Sequence, residues 1–110
     1  MLKVTSSGEI QLTRGDTAWL SVDIADDEGN AYEIQSDDVL TLTVKKNYED
    51  TEPLIEKQVT GTALFHIKPE DTAGLAFGKY KYDVQVETAA GDVYTVIADK
   101  TFVLGKEVSR

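Results

Sequence analysis

The stretch Pro69–Val86, PEDTAGLAFGKYKYDVQV, constrains the fold more than any other. From Lys79 onward it alternates strictly. Tyr80, Tyr82, Val84 and Val86 share one face, and Lys79, Lys81, Asp83, Gln85 and Glu87 share the other. Successive side chains of an extended chain point to opposite sides, so a period of two with one apolar face predicts a half-buried strand. The preceding residues, Pro69 to Gly78, read as a corner with one helical turn. Proline suits the first helical position, and Glu70 and Asp71 suit a helix N-terminus. The reading is a central strand of a β-sandwich, with other strands packed around it.

Those other strands are shorter. Glu9–Thr13 has Ile10 and Leu12 inward. Thr17–Ile24 has Ala18, Leu20, Val22 and Ile24 inward and Trp19, Ser21 and Asp23 outward. Ala31–Ile34 is a short return strand, and Val39–Lys46 turns Leu40, Leu42 and Val44 inward. Leu54–Thr60 and Thr62–Ile67 are joined through Gly61, with Ile55 and Val59 on one face and Ala63, Phe65 and Ile67 on the facing one. Val93–Ala98 is apolar on both sides, which predicts a central position or a covered outer face. Lys100–Leu104, carrying Phe102 and Leu104, closes the series. Turn chemistry separates them at Arg14-Gly15-Asp16, Ala25–Asn30, Gln35–Asp38, Asn47–Pro53 (the longest connection) and Thr88–Asp92. Short strands at intervals of about 8–12 residues predict a sandwich. The expected fold is therefore an all-β, immunoglobulin-like sandwich of two antiparallel sheets and about eight strands. It has at most one helical turn, near 69–75, and forms one domain over 1–110, with a loose arm or an edge strand at 1–8 and a loose end at 105–110.

Composition narrows the function classes. With no cysteine, disulfides, thiolate metal sites and a cysteine nucleophile are excluded. The start, MLKVTSSGEIQL, lacks the apolar run of a signal peptide and reads as a cytosolic start. No segment approaches the roughly 20 apolar residues of a membrane span, so no membrane insertion is expected. The net charge of −9 disfavours nucleic acid, whose phosphates such a surface repels. Between Arg14 and Lys45 there is no basic residue, while Asp16, Asp23, Asp26, Asp27, Glu28, Glu33, Asp37 and Asp38 all lie there. This predicts an acidic region, either a solubilising surface or a face for a basic partner.

The candidate catalytic motifs are weak. Arg14-Gly15-Asp16 is the tripeptide that integrins read, but Gly-Asp is ordinary turn chemistry. Asp26, Asp27, Glu28 and Asn30 around Gly29 lack the alternating ligands and distal glutamate of a calcium loop. His66, the sole histidine, has no second histidine or cysteine for a zinc site and is expected to point outward into solvent. No G-x-S-x-G elbow exists, and Glu70 and Asp71 open a helical turn. No enzyme, metal or cofactor is expected. Gly78-Lys79-Tyr80, following a corner with Asp71, Gly74 and Leu75, fits the tyrosine corner of Greek-key sandwiches, whose hydroxyl bonds backbone across the corner. Trp19 stands on the wrong face for the core, where it either covers a sheet edge or another sheet face or lies in a protein contact, and Leu75 and Phe77 are read as outward. Together with Asp23, Asp26, Asp27 and Glu28 they are the candidate protein-contact residues.

The ordered set RGDTAWLSVDI, DDEGNAYEI, VLTLTVKK, ALFHIKPEDTAGLAFGKYKYDVQVE, GDVYTVIADKTFVL and KEVSR resembles a known family. It is similar to the small immunoglobulin-like domains of tailed-phage and prophage structural modules of Gram-positive bacteria, most closely the N-terminal domains of baseplate upper proteins. The resemblance covers about residues 9–108. Its most specific part is PEDT…G-x-Y-x-YD-V followed by G-x-VYTVI-x-x-x-F-V. It implies a non-catalytic tail or baseplate subunit, made in the bacterial cytoplasm and carried in the virion. Its implied partners are other phage structural proteins or copies of itself, with homo-oligomers in the assembly. Baseplate upper proteins continue into helical and receptor-facing parts, whereas this sequence stops at Arg110; a decoration, adaptor or assembly subunit fits equally. The rival expectation is a bacterial cell-surface or carbohydrate-binding immunoglobulin-like module, with Trp19 and Tyr32 or Tyr48 stacking on a sugar.

Overall fold

The computed structural model of the protein describes residues 2–4, 9–22, 24, 30–47 and 49–105. Six strands come first: β1 (Leu2–Val4), β2 (Ile10–Thr13), β3 (Ala18–Ser21), β4 (Val39–Lys45), β5 (Ile55–Thr60) and β6 (Leu64–Ile67). A single-turn helix, α1 (Pro69–Thr72), follows, and then β7 (Gly78–Glu87) and β8 (Val93–Gly105). The strands form a six-stranded sheet in the order β1-β2-β8-β7-β4-β5 and a two-stranded sheet, β3-β6. The protein is an all-β sandwich. The run β8-β7-β4-β5 facing β3-β6 matches the order G-F-C-C′ facing B-E in immunoglobulin-like sandwiches.

β7 is the organising strand, as its alternation predicts. It pairs antiparallel with β4 on one side and β8 on the other. Tyr80, Tyr82, Val84 and Val86 are all buried, and Lys79, Gln85 and Glu87 are exposed. Its inner face joins Leu40, Leu42 and Val44 of β4, Ile10 and Leu12 of β2, and Phe102 and Leu104 of β8. Ala18, Leu20, Phe65 and Ile67 of the small sheet close over them, with Ile24, Ile55 and Ala63 at the margins. Each fully buried large apolar side chain contributes about 1.5–3 kcal/mol. The expected inward set is buried throughout, except that Val22 is half-buried at the margin.

The structure corrects several boundaries. The sheets are not wholly antiparallel: β2 pairs parallel with β8, Ile10↔Phe102 through Thr13↔Gly105. The rest of the chain lies between these strands, so no tight turn forces them antiparallel. The expected strand Thr17–Ile24 shrinks to Ala18–Ser21 because its partner β6 offers only Leu64–Ile67, and the ladder ends at Ser21↔Leu64. Leu54–Thr60 and Thr62–Ile67 do split at Gly61, but their strands enter different sheets. Gly61 turns there at φ 73° against the backbone of Ser36.

Ala31–Ile34 forms no ladder. It carries one bridge, at Ala31, and Tyr32 N–H donates to Ile24 O at 2.8 Å. Residues 22–38 thus contain no strand among the described residues.

Val93–Ala98 and Lys100–Leu104 are one strand of 13 residues. Between Tyr82↔Lys100 and Gln85↔Thr95, β8 fits more residues than β7 opposite it, so bulges absorb what reads in sequence as a break. β2 reaches only residues 102–105, so β8 is central there; further back no other strand pairs with that side among the described residues, and Val93 and Tyr94 are exposed. At the N-terminus, Leu2–Val4 is an edge strand on β2.

The corner before β7 is held by polar contacts. Lys68 N–H donates to Asp71 Oδ2 at 2.7 Å, and Asp71 N–H donates to Lys68 O at 3.0 Å, closing α1. Thr72 is fully buried, and its Oγ1 accepts Gly15 N–H at 2.9 Å, while Arg14 Nη1 donates to Leu75 O at 3.3 Å. Arg14-Gly15-Asp16 is therefore a turn bolted to α1. The tyrosine corner is present: Tyr80 OH donates to Ala76 O at 2.5 Å.

Candidate functional site

Alternation along β3 sends Ala18 and Leu20 into the core and Trp19 and Ser21 to solvent. The antiparallel register sets Trp19 opposite His66, and Ser21 opposite Leu64. Directly opposed side chains of one face lie in contact range. The indole and imidazole rings stack with centroids 4.0 Å apart and 4° from parallel. Trp19 remains 59% exposed and Leu64 42%. The outer face of the small sheet thus presents a stacked aromatic pair beside an aliphatic side chain. His66 points outward as expected, but it supports the tryptophan ring rather than standing alone in water. Only the strand register reveals that contact. Leu64 was not among the expected contact residues, although its place two residues before His66 puts it on the same face.

The other candidate residues do not join this face. Leu75 is half-buried and packs against the core, which corrects its reading as an outward residue. Phe77 is 41% exposed, with the Arg14 guanidinium carbon 4.2 Å from its ring centroid. Its place is in the corner that joins the Arg14 turn to α1. Asp23, Asp26, Asp27 and Glu28 lie outside the described residues.

Within the acidic stretch, Asp38 is 2% exposed and turned inward. Its Oδ2 accepts Tyr32 OH at 2.6 Å and Gln35 N–H at 2.9 Å, tying the turn to the body. The hydrogen bond to Asp38 holds the Tyr32 hydroxyl pKa above its usual 10.0, with burial adding to the effect. Asp38 therefore belongs to the fold, while Glu33 and Asp37 are exposed.

At the margin of the sandwich, Lys57 of β5 pairs with Asp71 at 2.7 Å. Burial pushes the Asp71 pKa up, but the hydrogen bond from Lys57 and the Lys68 N–H outweigh it and hold the carboxyl below its usual range. On the outer face of the large sheet, Thr43, Lys45, Lys81, Tyr82 and Asp83 line an open depression of about 150 Å³. Ligand pockets usually span about 300–1,000 Å³. Burial raises the Asp83 pKa, and Lys45 acts against that rise. Among the described residues no three His, Asp or Glu side chains converge as a metal site, and no helix is long and apolar enough to cross a membrane.

Fold and surface together define a β-sandwich domain with an exposed aromatic–aliphatic face on its smaller sheet. The chain matches no protein-family model, no curated protein and no solved structure at a significant level.

Proposed function

We propose that the protein is a non-catalytic structural subunit of a phage or prophage particle, of the tail or baseplate, working through protein–protein contact. The observation that carries the contact role is the outer face of the β3-β6 sheet, where Trp19, His66 and Leu64 present apolar surface that the fold itself does not cover. Large exposed aromatics are enriched in protein interfaces. The assignment to a particle rests on the ordered resemblance over residues 9–108. A cysteine-free domain also suits assembly in a bacterial cytosol. The test is mass spectrometry of purified particles after prophage induction. The chain should appear there in stoichiometric amounts with tail proteins. Its absence from particles, with abundance as a free cytosolic protein, would end the reading.

The carbohydrate-binding alternative draws on the same exposed Trp19. Of its two further aromatics, Tyr32 is half-buried with its hydroxyl donated to Asp38, and Tyr48 lies outside the described residues.

A further inference from the structure

We draw no further inference here: the strongest candidate, the outer face of the β3-β6 sheet with exposed Trp19 stacked on His66 beside Leu64, is an unpartnered face, and nothing in the structure shows what covers it.

Discussion

The two sheets of this sandwich have similar inner faces and different outer ones. Inside, both present aliphatic and aromatic side chains at every second position. Outside, the large sheet carries Thr41, Thr43, Lys45, Lys81, Asp83 and Gln85, with side-chain contacts at 3.5 Å between Gln58 and Thr41 and between Gln85 and Thr95. The small sheet carries Trp19, His66 and Leu64. Both strand patterns alternate, but the small sheet sets two large apolar side chains, Trp19 and Leu64, among its outward polar ones.

That comparison breaks first if the inner faces are not one core. Phe65 of the small sheet and Val84 of the large one are both fully buried. Val84→Asp places an unpaired charge in the core and should abolish the fold. Phe65→Ala should cost about 3–5 kcal/mol in urea unfolding. A Phe65→Ala cost below about 1 kcal/mol would mean that the small sheet is not part of the same cooperative unit.

The corner that links the two sheets sharpens the comparison at smaller scale. Thr72→Val keeps the volume but leaves Gly15 N–H without its side-chain acceptor, for an expected loss of about 1–3 kcal/mol. Tyr80→Phe removes the donor to Ala76 O and should cost about 1 kcal/mol. Equal melting of both variants and the parent would show that packing alone sets the corner.

The smallest effect lies at the margin, where Lys57 of the large sheet reaches Asp71. Lys57→Met should lose up to about 1 kcal/mol at pH 7. The Asp71 pKa is lowered in the fold. Its stabilisation is therefore present above the ordinary aspartate value of 3.8 and is lost as pH falls through the lowered one. The difference between variant and parent should vanish in strong acid. A difference that persists at pH 2 would assign the effect to packing of the lysine stem.

The parts of this structure that were legible in the sequence are those decided locally. β7 reads off its own alternation because one face is buried along its whole length. The tyrosine corner joins Ala76 to Tyr80, four positions apart, so its pieces lie together in the sequence. What was not legible depends on distant partners. The end of β3 is set by the length of β6, and the parallel β2-β8 pair joins opposite ends of the chain. Val93–Ala98 and Lys100–Leu104 read as two strands because a bulge has no residue signature of its own. Thr72 and Asp38 are polar residues in the core, and Thr72 is buried against a turn 57 residues away. The candidate surface was half legible. Trp19 declared itself by standing on the wrong face, but its stack on His66 and its neighbour Leu64 needed the register. Leu75 was misplaced because its corner folds back onto the core.

The parallel pairing of β2 with β8 has a mechanical consequence. Tension on the chain, drawn upstream of Ile10 and downstream of Gly105, pulls these neighbouring strands in opposite directions along their lengths. The hydrogen bonds between them run across the strands, so the load falls on all of them at once and they must shear together. A hairpin pulled at its open end would instead unzip bond by bond. The strand pair thus acts as a clasp that resists stretching along the line of the chain.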